Sequence, residues 1–66
     1  MSFRRNFKWI IFQKGLSQKE VADLTGVTES NISYYVNGKR EPNYKQMLKL
    51  IKGLGCTANE LFRGDV

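Results

Sequence analysis

The chain has 66 residues, a net charge of +5 and a sequence pI of about 9.7. This length supports one small domain, and 41% hydrophobic with 26% charged residues predicts that it folds. With no histidine and Cys56 as the single cysteine, the chain lacks the usual zinc ligand sets, histidine-dependent triads and an intrachain disulfide. The basic charge favours an anionic partner, but alone it does not choose among nucleic acid, acidic protein and membrane.

The longest apolar run, residues 9–12, is far too short to cross a bilayer, and the N-terminus lacks the apolar core of a signal peptide. We therefore predict a cytoplasmic protein with no membrane partner. Cys56 lies among apolar residues and is interpreted as a small buried hydrophobic residue rather than a reactive thiol. The carboxylates begin or flank helices without pairing, so we expect no enzyme, cofactor or metal site.

Apolar residues at helical spacing predict five helices in chain order, at about 3–14, 18–25, 29–37, 44–54 and 58–63. The residues that this spacing places on one face of each of the first four helices are, in order, Phe3, Phe7, Ile10 and Lys14; Val21, Ala22 and Thr25; Ile32, Tyr35 and Val36; and Met47, Leu48, Ile51 and Leu54. No stretch alternates long enough to predict a strand.

Capping residues divide these helices at short intervals. Two capping boxes, residues 17–20 and 57–60, begin the second and fifth helices. Asn43 with Gln46 is a weaker version at the fourth helix, and Thr28 supplies half a box at the third. Glycines stand where the helices should end, at Gly15, Gly26, Gly38, Gly55 and Gly64.

The second and third predicted helices, joined by residues 25–28, have the arrangement of a helix-turn-helix motif. Gly26 can adopt the positive φ of the sharp turn. If Ile32 and Tyr35 face the core, the third helix is held as a rigid rod whose opposite face fits a major groove. This face is rich in hydroxyls and amides, which suit hydrogen bonding to bases; the alternative is a face that is merely solvated.

The stretch from Leu16 to Pro42, with its Ser-Gln-x-x-x-Ala, Gly-Val-Thr and Asn-Gly-Lys segments, resembles the Cro and phage-repressor (XRE-like) helix-turn-helix family. The flanking helices are similar too, so the resemblance covers nearly the whole chain. It implies an all-α, compact five-helix, lambda-repressor-like bundle, with residues 1–66 forming one domain that binds double-stranded DNA. The implied function is that of a small transcriptional regulator, with repression as the expected role.

The resemblance also implies which residues contact DNA. Gln18 would contact a phosphate. The third helix, from Thr28 onward, would present base-facing residues at Glu29, Ser30 and Tyr34, with Asn31 and Ser33 nearby. The phosphate-contacting strip that follows would comprise Asn37, Lys39, Arg40, Asn43, Tyr44 and Lys45.

Two of these roles have alternatives. Glu29 can accept from a cytosine amino group or stabilise the helix N-terminus, and we slightly favour the second role. Tyr34 can contact a thymine methyl group or donate its hydroxyl to a phosphate.

The chain departs from the family pattern at several positions. Ile11 and Val36 replace an Arg and a Glu that can pair in relatives, so we predict a hydrophobic contact between them. Thr25 stands in an aliphatic slot, where its hydroxyl can bond to the Val21 carbonyl, and Leu24 is expected to be partly exposed.

Trp9 and Phe12 replace polar residues of the family pattern on the first helix. Either they pack, with Phe3, against the segment around Leu61 and Phe62, or they form an apolar patch for a partner.

These observations support two functional hypotheses. In the first, a homodimer binds an inverted repeat with half-sites about 34 Å apart, through a dimer surface on the fifth helix and the tail to Val66. In the second, the chain is an antitoxin or a protein-interaction module that uses Trp9 and Phe12.

Overall fold

The computed structural model describes residues 3–62, apart from the side chain of Phe62. Its helices are α1 (Phe3–Lys14), α2 (Gln18–Thr25), α3 (Glu29–Val36), α4 (Tyr44–Leu54) and α5 (Ala58–Phe62). The described residues contain no strand, which confirms the predicted all-α bundle. Across that same range, no helix is both long and apolar enough to span a bilayer.

The predicted helix boundaries agree with the structure to within one residue where they can be compared. The third helix ends at Val36 rather than residue 37, because Asn37 is its C-cap and donates its amide to the Ser33 and Tyr35 carbonyls. The predicted end of the fifth helix at residue 63, and the stop at Gly64, lie outside the described residues.

Reciprocal side-chain caps determine where α2 and α5 begin. Ser17 Oγ accepts the Glu20 amide at 3.1 Å, while the Glu20 carboxylate accepts the Ser17 amide at 2.8 Å. Thr57 and Glu60 repeat both bonds at 3.1 and 2.8 Å. Each box satisfies two backbone amides that a helix N-terminus otherwise leaves unpaired, so both capping predictions are confirmed.

An aromatic cluster joins α1 to α3. The rings of Phe3 and Phe7 stack with centroids 5.1 Å apart, and Tyr35 packs edge-on against them at 5.9 and 6.3 Å. All three residues are buried, and such ring pairs contribute about 0.5–1.5 kcal/mol beyond the area they bury. The cluster therefore determines which face of α3 turns inward. The rest of the buried apolar core is Val21, Val27, Ile32, Leu50, Leu54, Cys56 and Leu61.

The apolar face of α4 differs from the prediction at two positions. Leu50 is fully buried, whereas Leu48, which we assigned to the core face, is 41% exposed. The helix has apolar residues on several sides, and tertiary packing selects the Leu50–Leu54 ridge at i, i+4. The prediction for Leu48 was therefore wrong.

A glycine lets α4 approach the end of α2 closely. A Cβ atom at Gly53 would lie 2.6 Å from both the Leu24 carbonyl oxygen and the Thr25 Cα. Both are backbone atoms, so no side-chain rotation could make room. The absent side chain of Gly53 thus brings α4 directly against the start of the α2–α3 turn.

Helix α5 closes the bundle against α1. Leu61 is fully buried, and the Asn6 side-chain amide donates to the Leu61 carbonyl at 2.9 Å. A carbonyl in the last turn of a helix has no intrahelical partner. Asn6 therefore supplies that partner and links α5 to the helix that carries the aromatic cluster.

Candidate nucleic-acid interface

The shape of the α2–α3 turn depends on Gly26, on the hydrogen bonds of Thr25 and on the cap of α3. Gly26 has φ +76° and donates its amide to the Ala22 carbonyl at 2.9 Å. The buried Thr25 hydroxyl donates to the Val21 carbonyl at 2.7 Å, as predicted, and also accepts the Val27 amide at 3.2 Å. This second bond satisfies a buried amide inside the turn. The turn therefore has a defined shape before any partner binds.

The turn ends at the N-terminal cap of α3. Thr28 Oγ1 accepts the Asn31 amide at 3.3 Å, which confirms the predicted half box. Glu29 lies in the first turn of α3, where a carboxylate is favoured by the helix dipole. Its exposed side chain makes no cap of the kind seen at Glu20 and Glu60.

The two faces of α3 separate as the sequence indicated. Ile32 and Tyr35 are 0% and 4% exposed. On the outer face, Glu29, Ser30 and Tyr34 are exposed. Asn31 and Ser33 are half-buried. The structure therefore brings Ser30 and Tyr34 to the outer surface and sets Asn31 and Ser33 at its edges.

Tyr34 is linked to the loop between α3 and α4. The Arg40 guanidinium carbon lies 4.8 Å from the centroid of the Tyr34 ring, within the range of a cation–π contact. The Lys39 amide also donates to the Tyr34 carbonyl at 2.9 Å. Beside Tyr34, the Asn37 side chain donates to Ser33 Oγ at 3.3 Å. The predicted base-facing and phosphate-contacting groups thus form one connected surface.

The remaining predicted phosphate contacts lie at two helix starts. Gln18, the first residue of α2, is half-buried. Asn43 caps α4, and its Oδ1 accepts the Gln46 amide at 2.8 Å. That bond leaves the Asn43 amide group as its available donor. Lys45 and Tyr44 are exposed beside it. The Gln46 Oε1 atom is buried without a hydrogen-bond partner, so the weaker capping box is not reciprocal.

Arg4 also reaches this surface, although sequence reasoning did not include it. A Cβ atom at Gly38 would lie 2.8 Å from the Arg4 Cδ atom, so the Arg4 side chain covers the bare Cα of Gly38. Gly38 directly precedes Lys39 and Arg40. A residue 34 positions away in the chain gives no local pattern that could have revealed this contact.

Trp9 and Phe12 form a second exposed feature on α1. They are 58% and 75% exposed, and their rings stack with centroids 6.1 Å apart. The expectation that they pack with Phe3 against the C-terminal segment is therefore wrong for both, although Phe3 itself is buried. At 100° per residue, Trp9 lies about 200° around the helix from the buried Phe7. The side chain of Phe62 lies outside the described residues.

A groove of about 360 Å³ lies beside Phe12. Its lining residues are Lys8, Ile11, Phe12, Leu16, Ser17, Gln18 and Val36. Ile11 and Val36, the two positions where we predicted an apolar replacement for an ion pair, both line this groove and pack against the core. The two residues thus lie on the same groove, and the direct contact between them stays a prediction.

Burial raises the pKa of two titratable groups in the bundle. It raises the pKa of the Tyr35 hydroxyl, an effect that the charge of Arg40 partly opposes. Burial also raises the pKa of the Cys56 thiol, with the Glu60 carboxylate adding to the rise. Cys56 is buried, as predicted. Among the described residues, no group of three or more His, Cys, Asp or Glu residues could hold a metal ion.

The helix pair, its turn and the exposed α3 face define a helix-turn-helix domain. The helix-turn-helix family profile matches residues 8–61, and the chain belongs to this family, in its Cro- and repressor-like (XRE-like) group. The family consists of non-enzymatic DNA-binding regulators. The recognition and fold predicted from the sequence are thereby confirmed.

The chain is similar to several curated proteins. It is 33% identical over 63 residues to the uncharacterized HTH-type transcriptional regulator YqaE of Bacillus subtilis, covering 96% of this chain and 54% of that protein. It is 39% identical over 51 residues to the SPbeta prophage-derived uncharacterized HTH-type regulator YonR of the same organism, covering 77% and 47%. For the HTH-type transcriptional regulator PuuR of Escherichia coli, the identity is 40% over 50 residues, covering 76% and 27%.

The chain thus spans about half of YqaE and YonR and about a quarter of PuuR. No solved structure matches it significantly.

Proposed function

We propose that this protein represses transcription by placing α3 in the major groove of a specific DNA sequence. The observation that carries the proposal is the exposed polar face of α3, held rigidly by the buried Ile32 and Tyr35 behind it. An α-helix fits the major groove, where each base pair presents a distinct hydrogen-bonding pattern. Repression requires only that the occupied site exclude the transcription machinery. The similar proteins are HTH-type transcriptional regulators, which supports a role in controlling transcription.

Within this proposal, Ser30 and Tyr34 read bases, with Asn31 and Ser33 contributing from the edges of the same face. Glu29 acts mainly on the helix dipole. Gln18, Asn37, Lys39, Arg40, Asn43 and Lys45 contact phosphates on either side and set the register of α3 in the groove. The basic net charge of the chain supports this assignment.

In vitro selection of bound duplexes, followed by titration of variants, tests the base-reading role. Ser30→Ala or Tyr34→Ala should change the preferred base at one position and cost roughly 1–3 kcal/mol there. Arg40→Ala should weaken binding to all sequences and lower the slope of log affinity against log salt by about 1. If neither Ser30→Ala nor Tyr34→Ala alters base preference, α3 does not read bases as proposed.

We further propose that two copies bind an inverted repeat. Eight residues of α3 span about 12 Å, which covers about four base pairs at 3.4 Å each. A site that short is too common in a genome to be specific. The longest dimension of the domain is 30 Å, below the spacing of about 34 Å between half-sites one helical turn apart, so two domains would fit side by side.

The predicted dimer surface on α5 continues into a tail that lies outside the described residues. Sedimentation with and without duplex tests the stoichiometry. Insertion of five base pairs between half-sites rotates them by about half a turn and should abolish tight binding. Tight binding of one copy to a single half-site would contradict the dimer.

The exposed aromatic pair of α1 favours a second function, as the antitoxin of a toxin pair or another protein-binding module. Trp9 and Phe12 are large, exposed and stacked, and a monomer rarely displays such a patch without use. The described part of α1 contains four basic residues and no acidic one. Repulsion between the basic side chains of two α1 helices disfavours pairing of two copies through this face. We therefore propose a partner with an acidic segment that carries apolar anchors.

Affinity purification from the source organism tests this second function with three baits. The partner should be captured by the wild type and by Arg40→Ala, but lost with the Trp9→Ala, Phe12→Ala double variant. Reconstitution with the identified partner should reproduce this order by calorimetry. Retention of the partner by the double variant would contradict a role for the patch, and self-association through it would appear as a dimer that the double variant lacks.

A further inference from the structure

A contact between α1 and the α3–α4 loop adds a cation to the predicted phosphate-binding strip. The Arg4 Cδ, Nε and one terminal nitrogen lie 2.8, 3.6 and 3.8 Å from the position that a Cβ of Gly38 would take. Gly38 has φ +75°, a conformation that favours glycine. The loop thus provides both the backbone bend and the bare surface on which the Arg4 side chain rests.

This contact brings Arg4 beside a loop that carries two further basic residues. Lys39 and Arg40 follow Gly38 directly, and all three basic side chains are exposed. No ion pair joins Arg4, Lys39 or Arg40 to a carboxylate within residues 3–62. Glu41, the carboxylate of this loop, makes no such pair either. Basic side chains on one surface favour the binding of an anion such as a phosphate group.

We infer that Arg4 is a phosphate-contacting residue of the DNA interface, held in place by Gly38; this inference rests on the proposed function. The planar guanidinium presents several donors to phosphate oxygens in a fixed fork, which a lysine cannot reproduce. The contact is independent of base sequence, so Arg4 adds affinity and register without specificity. It extends the interface from α3 and its loop to the start of α1.

The test compares Arg4→Gln with Lys52→Gln, which removes the same charge at the far end of α4. Lys52 is exposed and lies eight residues beyond Tyr44, about 12 Å along the helix axis. Affinity for a duplex containing the selected site and for a random duplex is measured across a salt series. Melting temperatures establish that both variants are folded.

Arg4→Gln should lower the salt slope by about 0.9 and leave base preference unchanged. Between about 50 and 200 mM salt, wild-type affinity should therefore fall about 3.5-fold further than that of Arg4→Gln. Lys52→Gln should behave like the wild type. Arg4→Lys should keep most of the salt slope but bind more weakly than the wild type, because it retains the charge and loses the fork.

Equal slopes for Arg4→Gln and Lys52→Gln would overturn the role of Arg4. If Arg40→Ala still lowers the slope in that experiment, the proposed function stands and only the inference about Arg4 fails. If the wild type shows no salt-dependent duplex binding, both fail. A change in base preference with Arg4→Gln would also overturn the inference, because a phosphate contact carries no base information.

Discussion

Replacement of Thr25 by valine tests how the helix-turn-helix turn is held. Valine has nearly the shape of threonine, so the change removes the hydroxyl with little change in packing. That hydroxyl accepts the Val27 amide at 3.2 Å, and Thr25 and Val27 are 7% and 3% exposed. Without it, the amide is buried and unpaired, which costs about 1–3 kcal/mol.

For a domain of this size, each kcal/mol lowers the melting temperature by about 4–8 °C. Allowing for the small gain from burying a methyl group, we expect Thr25→Val to lower the melting temperature by roughly 5–15 °C. Thermal unfolding followed by circular dichroism measures this. Thr25→Ser is the matched control, because it keeps the hydroxyl and loses only a methyl group. A Thr25→Val variant as stable as the wild type, or more stable than Thr25→Ser, would refute the reasoning.

Three further predictions concern the bundle. Gly53→Ala should lower the melting temperature even though alanine has the better helix propensity. Overpacking against backbone atoms costs about 1–3 kcal/mol, whereas the gain in propensity is about 1 kcal/mol. Lys52→Ala is the control, and a Gly53→Ala variant more stable than the wild type would contradict the close approach of α4 to α2. Burial raises the pKa of the Cys56 thiol in the folded state, so the thiol of the unfolded chain ionises at a lower pH. The resulting contribution to folding stability is present at neutral pH and is lost as the pH rises above the ordinary thiol pKa. The fall in melting temperature from about pH 7 to pH 10 should therefore be smaller in Cys56→Ala. Phe12→Gln should change the free energy of unfolding by less than about 0.5 kcal/mol, whereas Phe7→Ala should cost about 3–5, as measured by urea denaturation.

The features that sequence predicted best are those with short-range causes. The capping boxes, the αL glycine of the turn and the Thr25–Val21 hydrogen bond each depend on residues within four positions of one another. Ile32 and Tyr35 were assigned to the core from their spacing on one short helix, and both are buried. Local stereochemistry alone determines these contacts, so a single sequence suffices to predict them.

The features that sequence missed depend on distant parts of the chain. Leu50 and Leu48 are equally apolar, and only the packing of α4 against α2 distinguishes them. Gly53 is a glycine inside a helix, where composition suggests a weak point rather than a close approach. The contact of Arg4 with Gly38 joins the first turn of α1 to a loop in the middle of the chain. Each requires the tertiary arrangement, which no local pattern specifies.

The contact between Tyr34 and Arg40 implies that the proposed base reading by Tyr34 and the proposed phosphate binding by Arg40 are coupled. The guanidinium lies 4.8 Å from the ring centroid, so Tyr34→Ala would remove a predicted base contact and also release Arg40. Tyr34→Phe keeps the ring and removes only the hydroxyl. Cation–π contacts at exposed sites are worth about 0.5–1 kcal/mol.

Because the contact is already present in the free protein, a double-mutant cycle in the free energy of unfolding should give a coupling of about that size between Tyr34→Ala and Arg40→Ala. The same cycle in DNA affinity should show coupling only to the extent that the ring orients Arg40 toward its phosphate. The cycle between Tyr34→Phe and Arg40→Ala should give almost none. Coupling of equal size in both cycles would mean that the hydroxyl, rather than the ring, connects the two residues. Additive effects on both stability and DNA affinity would mean that the ring neither stabilises nor orients Arg40, and that α3 and its loop contact the duplex independently.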